Sequence, residues 1–536
     1  MPERFEIQVD GRALQVEAGL TVAAALQNAG QPFTRRSISG EARGPLCAMG
    51  ICFECRVTID GEPHRRACVE SCRPGMRITT GTEPGTDPQS GIASAAAVYA
   101  GLPVATELEA DVAVVGGGPA GIAAACRASE SGARVVLIDE GARPGGQIWR
   151  HRADPPKAAR AWLARLARAA VTVVGDTSVI EVLAHGGEAA LPAAAGSFTL
   201  HAVRAGSEPT CVRARRVVLA NGARERFLPF PGWTLPGVLG IGALQALLKS
   251  GASFAGWRVV LAGSGPLLLP VTSALAENGA YVVMVAEQAE ASAVLRFGLG
   301  LWRHPGKIVE AFRYRWAFLG TRLRHGVWAI SAGGDERVRS VTLTNGERSW
   351  SESCDLLGTS YGLVPNLELA RLVGCALEGG AVMVDAWQGT SVPGVFAAGE
   401  PTGIGGVERA VVEGEIAGLA AAGREADARL LLPRRERLHA FSRALEAAFA
   451  LRPELRQLVR SETLVCRCED VAYGTLDPEW GARRAKLYTR LGMGACQGRV
   501  CGAACAHLFG WTPDTMRPPL LPVPLGALET ARGADR

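Results

Sequence analysis

Fourteen cysteines are distributed unevenly over the 536 residues of the chain. Five lie between Cys47 and Cys72, five lie between Cys466 and Cys505, and four are scattered over the long middle. Thiolates grouped in this way favour metal or iron–sulfur sites, whereas disulfide frameworks are typical of secreted chains. The first residues, MPERFEIQVDG, lack the pattern of a signal or transit peptide. We therefore expect a cytoplasmic protein with two cysteine-based metal sites.

The first cysteine group has the spacing Cys47-x4-Cys52-x2-Cys55, which is that of a plant-type 2Fe–2S loop. A tight loop can present three thiolates to one small cluster, and the fourth ligand arrives from elsewhere. Cys68 is the natural fourth ligand, because it follows the predicted Asp60-Gly61 hairpin turn. Zinc and ordinary buried thiols are the alternatives, and Cys72 is a spare. The predicted ligands of the first cluster are Cys47, Cys52, Cys55 and Cys68.

The second group combines Cys466-x-Cys468 with Cys496-x4-Cys501, and glycines flank the second pair. Two thiolates one residue apart cannot both face inward on a regular helix, so we predict a loop that precedes a helix. The pattern resembles the bacterioferritin-associated-ferredoxin type of 2Fe–2S domain. A structural zinc knuckle is the rival, and Cys505 is either extra or a replacement ligand. The predicted ligands of the second cluster are Cys466, Cys468, Cys496 and Cys501.

A dinucleotide-binding fingerprint occupies residues 111–121, DVAVVGGGPAG, directly after a predicted strand. In such a motif the glycines form the turn, admit the pyrophosphate and allow helix–strand packing, and the helix N-terminus faces the phosphates. The next strand ends in two acidic residues that would bind ribose hydroxyls. Together with segments 144–147, 217–226 and 390–406, the motif resembles the FAD site of glutathione-reductase-like flavoproteins. The predicted FAD residues are Gly116, Gly118, Pro119, Ala120, Gly121, Asp139, Glu140, Gly146, Gln147, Gly222, Gly399, Glu400, Gly405 and Gly406.

This FAD pattern departs from the resembled superfamily at two positions. Asn221 replaces the usual threonine of the crossover strand, and Glu400 replaces the commoner aspartate that binds the ribityl chain. A second copy of the fingerprint follows at Gly263-x-Gly265, with Glu287 at the same interval of 24 residues. The superfamily binds NAD(P)H there, and the acidic residue favours NAD. Leu268 replaces the third glycine, so another adenine nucleotide or an empty structural domain remain alternatives.

The middle of the chain alternates short apolar runs with helical stretches, which predicts parallel strands buried on both faces. We predict an α/β fold, specifically a two-dinucleotide-binding FAD fold with a nested second Rossmann-like domain. A β-grasp ferredoxin module precedes it and a mainly helical 2Fe–2S module follows. The predicted domains are 1–85 (ferredoxin-like), 86–106 (linker), 107–235 with 345–425 (FAD-binding), 236–344 (inserted, NAD-like) and 426–536 (C-terminal 2Fe–2S).

Several functions are excluded by what the sequence lacks. The net charge of +5 is spread over the whole chain, so nucleic-acid binding is not expected. There is no apolar run of the length that a membrane span requires. The only Cys-x2-Cys pair lies inside the ferredoxin loop, so a disulfide reductase is not expected. No Ser–His–Asp or HExxH signature is present, and the catalytic residues are not identified.

The order of modules, and the segment ARERFLPFPGWTLPGV (223–238), resemble the larger subunit of bacterial amine-oxidising complexes. These include opine oxidases, hydrogen cyanide synthase, D-hydroxyproline dehydrogenase and dye-linked proline dehydrogenase. The resemblance implies an electron-transfer subunit with FAD, two 2Fe–2S clusters and an FMN at a subunit interface. It also implies a D-amino-acid-oxidase-like catalytic partner and a quinone, cytochrome or ferredoxin acceptor, with peripheral contact at the inner membrane as one location. The alternatives are a self-sufficient NAD(P)H-dependent ferredoxin reductase and a non-catalytic iron–sulfur scaffold or sensor.

Overall fold

The computed structural model describes residues 3–81, 105–152, 154–185, 197–204, 208–318, 320–513 and 515–528. The predicted linker over 86–106 lies almost entirely outside these ranges. The chain divides into two compact units, the first comprising 1–90, 225–363 and 444–514 and the second comprising 91–224, 364–443 and 515–536. Both cysteine groups therefore belong to the first unit, and all the predicted FAD residues belong to the second. The predicted domain boundaries remain a prediction.

A five-stranded sheet begins the first unit. Its first two strands form the predicted hairpin, with Phe5 opposite Val16. Asp10 and Gly11 both have positive φ, as a two-residue hairpin turn requires. A helix, Val22–Asn28, follows, and the Thr21 side chain accepts the Ala24 N–H at its start. In spatial order the strands are Arg12–Glu17, Arg4–Val9, Arg77–Thr79, Arg56–Ile59 and Glu62–Arg66, and a separate pair is Arg35–Arg36 with Ala42–Arg43.

A second, wholly parallel sheet in the first unit contains the duplicated fingerprint. All pairings in this sheet are parallel, so the prediction of parallel strands is confirmed here. The three inner strands are almost entirely buried, whereas the edge strand Arg322–His325 is polar. In spatial order they are Val238–Gly240, Leu356–Tyr361, Arg258–Ser264, Tyr281–Glu287 and Arg322–His325. The helices are Ile241–Lys249, Leu268–Glu277, Ala291–Gly300 and Pro305–Ala317, and an antiparallel sheet is formed by Trp328–Gly333, Ser340–Thr344 and Ser349–Ser353.

The C-terminal part of the first unit contains the second cysteine group. Cys466 ends a strand of a small hairpin, Leu464–Cys466 with Val471–Ala472, and Cys468 lies in its turn. The predicted loop is present, as the turn at 467–470, but the chain reverses at Asp470, which has positive φ, and returns as a strand before the next helix begins. The helices of this part come later, at Ala482–Thr489 and Cys501–Phe509, and short 3-10 turns lie at Pro453–Gln457 and Tyr473–Thr475. Another 3-10 turn of the first unit, Leu301–Arg303, lies between helices Ala291–Gly300 and Pro305–Ala317.

The second unit is built on a seven-stranded sheet in which parallel and antiparallel pairing are mixed. Strand Glu208–Leu219 pairs parallel with Thr106–Val115 and Val395–Ala397, and antiparallel with Ser197–Arg204. The remaining strands are Val135–Ile138, Val171–Val174 and Thr177–His185. A small antiparallel pair is formed by Leu377–Glu378 and Ala381–Val382. Two further short strands, Ala223–Glu225 and Leu363–Pro365, lie at the points in the sequence where one unit ends and the other begins.

Two helices of the second unit, Pro119–Glu130 and Val407–Ala421, pack unusually closely. A methyl group on Gly414 would lie 2.1 Å from the Ala120 carbonyl oxygen, and one on Gly418 would lie 2.3 Å from that of Ala124. Close packing is possible only because both positions are glycine. Other helical segments are Lys157–Arg168, Glu368–Val373, Glu400–Thr402, Glu425–Ala428, Arg429–Leu431 and Leu432–Ala448. Within the described residues, no helix has the length and apolarity needed to cross a bilayer.

Candidate functional site

The glycine loop of the second unit follows strand Thr106–Val115 and leads into helix Pro119–Glu130. A methyl group on Gly116 would lie 2.3 Å from the Ala220 carbonyl oxygen, and one on Gly121 would lie 1.8 Å from that of Gly116. These two glycines are required for packing. A methyl group on Gly118 meets nothing within 4 Å, so this residue faces open space at the helix N-terminus. The arrangement fits a pyrophosphate at that position.

The predicted Gly-Gly segment, residues 144–147, packs directly on this loop. Gly145 donates its N–H to the Gly117 carbonyl oxygen at 2.7 Å, and a methyl group on Gly146 would lie 2.9 Å from Gly118 Cα. Gln147 is exposed beside it. Two motifs that are about 30 residues apart in sequence therefore form one surface.

Asp139 and Glu140 directly follow strand Val135–Ile138 and occupy different environments. Asp139 accepts the backbone N–H of Gly117, and its Oδ2 is buried without a hydrogen-bond partner. Burial raises the pKa of Asp139 to about 7, an effect that hydrogen bonds from Gly117 and Gly141 oppose. Glu140 accepts a hydrogen bond from Ser178 Oγ at 2.8 Å. An orphaned carboxylate oxygen next to the glycine loop fits a ribose hydroxyl, because a buried acceptor requires a donor.

Glu400, in the place of the expected aspartate, reaches back to its own loop. Its carboxylate accepts the N–H groups of Gly405 and Gly406 at 3.0 and 2.9 Å. The longer side chain therefore holds the turn that begins helix Val407–Ala421. Gly399 is a packing residue, since a methyl group there would lie 2.8 Å from Ala120 Cβ.

The sequence analysis missed Glu413, a buried carboxylate that stabilises the turn at 399–406 through hydrogen bonds. It accepts the Gly399 N–H at 2.9 Å and Thr402 Oγ1–H at 2.7 Å, and it pairs with Arg409 Nε at 2.7 Å. His439 Nε2 lies 2.8 Å from the same carboxylate. The spacing of Arg409 and Glu413 on one helix is a visible signal of an ion pair. The contribution of His439 has no signal in the sequence.

Asn221, the other position at which the chain departs from the resembled superfamily, forms hydrogen bonds with a second asparagine, Asn366. Asn221 Nδ2 donates to the Asn366 carbonyl oxygen at 2.8 Å, and Asn366 Nδ2 donates to the Asn221 carbonyl oxygen at 2.7 Å. These two hydrogen bonds connect the crossover segment, 217–226, to the chain just before helix Glu368–Val373. Gly222 has φ +69 and faces open space.

In the first cysteine group, hydrogen bonds between side chains join Cys47 to Cys52 and Cys55 to Cys68. Loop N–H groups also point at the sulfurs: Gly50 donates to Cys68 Sγ at 3.2 Å, and Cys52 donates to Cys47 Sγ at 3.4 Å. All four thiols are buried. The structure thus brings the four predicted ligands together as two pairs.

The second group is also arranged in pairs, Cys466 with Cys501 and Cys468 with Cys496. The Cys468 and Cys496 sulfurs are 3.5 Å apart. Two thiolates on one tetrahedral metal, with metal–sulfur bonds of about 2.3 Å, lie about 3.8 Å apart. A methyl group on Gly494 would lie 2.2 Å from Cys468 Cβ, so glycine is required beside this cysteine. The four residues fit a cluster in which each iron takes two thiolates.

The two cysteine groups are neighbours within the first unit although they are at opposite ends of the chain. Arg467, between Cys466 and Cys468, pairs through Nε with Glu54 Oε2 at 3.2 Å. Glu54 lies between Cys52 and Cys55 in sequence. Among the described residues, no group of three or more His, Cys, Asp or Glu side chains is arranged as a single-ion metal site. The two cysteine groups flank the nucleotide-binding core in chain order, and the contact between Arg467 and Glu54 brings them together within the first unit.

The second fingerprint differs from the first in structure. The helix starts at Pro119, three residues after Gly116, but at Leu268, five residues after Gly263. Leu268 is buried at the position of the third glycine. Glu287 is 3% exposed and accepts the N–H groups of Gly265 and Ala289 at 2.7 and 2.8 Å. Burial raises the pKa of Glu287 to about 7.

Chain segment 449–452 crosses the carboxyl ends of the two central strands of this domain. Ser264 Oγ donates to the Phe449 carbonyl oxygen at 3.2 Å. Gln288 Nε2 donates to the Ala450 carbonyl oxygen at 3.0 Å, and the Arg452 N–H donates to Gln288 Oε1 at 3.1 Å. Dinucleotides bind outside the carboxyl ends of strands in such folds. The chain's own backbone lies in that place.

These features define a class of protein: a FAD-type, two-dinucleotide-binding oxidoreductase that also carries a 2Fe–2S domain. The chain belongs to the pyridine nucleotide-disulphide oxidoreductase family, whose model matches residues 110–414. Residues 3–83 match the 2Fe-2S iron-sulfur cluster binding domain. The predicted family, α/β fold class and enzyme class are thereby confirmed. The individual FAD and cysteine ligands remain predictions.

Two relatives are named as subunits, one of an opine oxidase and one of hydrogen cyanide synthase. An opine oxidase subunit of Rhizobium meliloti (strain 1021) is 33% identical over 78% of this chain and 97% of its own length. Hydrogen cyanide synthase subunit HcnA of Pseudomonas aeruginosa is 43% identical over 14% of this chain and 71% of its own length. The crystal structure of L-proline dehydrogenase from P. horikoshii has a TM-score of 0.68, with 20% identity and 98% coverage of both chains, and so shares the fold.

Proposed function

We propose that this chain is the electron-transferring subunit of a hetero-oligomeric dehydrogenase or oxidase for an amine or amino acid of the opine, glycine, proline or hydroxyproline class. The observation that carries the proposal is the convergence of buried cysteines in both groups. Loop N–H groups of Gly50 and Cys52 donate to Cys68 Sγ and Cys47 Sγ in the first group, and the Cys468 and Cys496 sulfurs lie 3.5 Å apart in the second. Two paired sets of thiolates suit two 2Fe–2S clusters, and both belong to a flavoprotein with no identified acid–base site.

The residues of this chain bind and orient the cofactors. A bound FAD exchanges two electrons at once or one at a time, and iron–sulfur clusters exchange single electrons. The N-terminus of helix Pro119–Glu130 would hold the FAD pyrophosphate next to Gly118, and Asp139 Oδ2 would accept a ribose hydroxyl. Glu400 and Glu413 hold the turn at the second FAD segment through the Gly399, Gly405 and Gly406 amides.

Substrate oxidation in this proposal takes place on a separate subunit related to D-amino-acid oxidase, with an FMN at the subunit interface. Support comes from the names of the relatives, which describe them as subunits of opine oxidase and of hydrogen cyanide synthase. The match to HcnA spans 74 residues, a length close to that of the N-terminal 2Fe–2S domain at residues 3–83, and we infer that a module that is a separate subunit there is fused here. A quinone, a cytochrome or a ferredoxin would accept the electrons.

The alternative, a self-sufficient NAD(P)H-dependent ferredoxin reductase, requires a working second nucleotide site. Segment 449–452 and the engaged Glu287 carboxylate speak against NAD at that site. Anaerobic NADH added to the chain alone should therefore leave the flavin absorbance unchanged. Rapid bleaching of the flavin by NADH without a partner would refute the proposal in favour of the alternative.

Cofactor content provides the direct test of the site assignments. Gly118→Val should fold, because its side chain would meet open space, but it should be purified without FAD. Cys52→Ser and Cys501→Ser should each lose half of the iron and one paramagnetic signal, while keeping the flavin absorbance. The matched control is Cys354→Ala, a buried thiol outside both groups, which should keep all the iron. Full iron content in both ligand variants would contradict the assignments, and native co-purification would identify the partner.

A further inference from the structure

A buried ion-pair network connects the two cysteine groups of the first unit. Glu54 is 1% exposed and accepts hydrogen bonds from Arg35 Nη2 at 2.7 Å and from Arg467 Nε at 3.2 Å. Arg35 also donates to the Arg467 carbonyl oxygen at 3.3 Å. Arg467 is 2% exposed and donates Nη1–H to the Trp233 carbonyl oxygen at 2.7 Å. Two arginines thus share one carboxylate in a site without access to solvent.

A second connection reinforces this contact at the edge of the two modules. Asp470 accepts the N–H and the hydroxyl of Ser39 at 3.0 and 2.7 Å, and it pairs with Arg43 Nη2 at 3.0 Å. Asp470 lies in the turn that carries Cys468. The N-terminal and C-terminal modules therefore meet through a second set of polar and charged groups.

The central pair lies directly against the predicted cluster ligands. Glu54 donates its backbone N–H to Cys52 Sγ at 3.4 Å. Electrostatic interactions join Cys468 to Glu54 and to Arg35, and Cys52 to Arg467. Replacing a buried ion pair with apolar residues is often neutral or stabilising, so stability alone does not explain a charged network in this place.

We propose that Glu54 and Arg467 are positioning residues that hold the two clusters at a fixed short separation. Each of them shifts the midpoint potentials of both clusters, Glu54 in one direction and Arg467 in the other. This inference rests on the proposed function, because it requires the second cluster. Reduction adds a negative charge to a cluster. Glu54 therefore opposes reduction of both clusters, and Arg467 favours it. The same proximity means that reduction of one cluster lowers the midpoint potential of the other.

Redox titration of the full chain, monitored by electron paramagnetic resonance, tests the proposal. Glu54→Gln should raise both midpoint potentials, so that the reduced-to-oxidised ratio at a fixed solution potential rises about tenfold, or 59 mV for a one-electron couple. That is the effect of one unit charge roughly 12 Å away at an effective dielectric constant of about 20. Arg467→Met should lower both potentials, and Glu54→Asp, which keeps the charge, should stay close to the wild-type values.

The matched control is Asp60→Asn, which neutralises the partner of Arg73 on the surface of the same module. Equal shifts in this control, or shifts of the same sign in Glu54→Gln and Arg467→Met, would overturn the inference. If the Glu54→Gln variant does not fold, the wild type provides the test. Two clusters held close together should show a magnetic interaction when both are reduced, and the absence of that interaction would also overturn the inference. A wild type with only one cluster signal would instead show that the two-cluster part of the proposed function is wrong.

Discussion

Gly418→Ala should separate the two helices on which the FAD site is built. Gly418 lies in helix Val407–Ala421, and a methyl group there would lie 2.3 Å from the Ala124 carbonyl oxygen and 2.8 Å from Ala124 Cα. Backbone atoms cannot rotate away, so the helices must move apart by about 1 Å to restore a contact of about 3.3 Å. A gap of that size forfeits up to about half of the contact energy of the facing atoms.

The net cost follows from two opposing effects. Overpacking of a tight core costs about 1–3 kcal/mol, and the higher helix propensity of alanine returns about 1 kcal/mol. With backbone on both sides of the contact, we expect the upper part of that range, a net loss of about 2 kcal/mol. Helix Pro119–Glu130 also presents its N-terminus to the FAD site, so the FAD content of the purified protein should fall as well.

Urea unfolding followed by circular dichroism, with flavin content measured on the same samples, checks this prediction. The matched control is Gly298→Ala, in the interior of helix Ala291–Gly300, where a methyl group meets nothing within 4 Å. That control should be neutral or stabilise the protein by up to about 1 kcal/mol. A Gly418→Ala variant as stable as the wild type, with full FAD content, would refute the reasoning about helix packing.

Three further predictions concern the C-terminal module. Gly494→Ala should remove iron from the second cysteine group without loss of FAD, whereas Gly502→Ala, which meets open space, should keep all the iron in a metal assay. Cys505→Ala should retain the full iron content and Cys468→Ala should not; equal losses would restore Cys505 as a ligand. Burial lowers the pKa of His507 to about 4, so stability present above pH 6.5 is lost as the pH falls towards 4. His507→Asn should flatten that decline in unfolding experiments at several pH values, and an unchanged slope would show that another group causes it.

Local patterns sufficed for the parts of the site that are contiguous in the chain. The spacing of Cys47, Cys52 and Cys55 predicts a plant-type cluster loop, because three thiolates on one short loop have few other uses. The Gly116 fingerprint predicts a strand, a tight turn and a helix in that order, and all three are present. The leucine at position 268, in place of the third glycine, already indicated that the second copy is altered.

Contacts between distant segments were decided only by the tertiary structure. Glu54 and Arg467 are separated by 413 residues, and a lone charged residue between two cysteines gives no sign of its partner. His439 joins Glu413, and segment 449–452 covers the second fingerprint, through hydrogen bonds that have no periodic signal in the sequence. The sequence by itself determined which chemistry each module can perform, since that depends on residue types at short spacing. The tertiary structure decided that the two cysteine groups are neighbours, because that depends on how the whole chain folds back on itself.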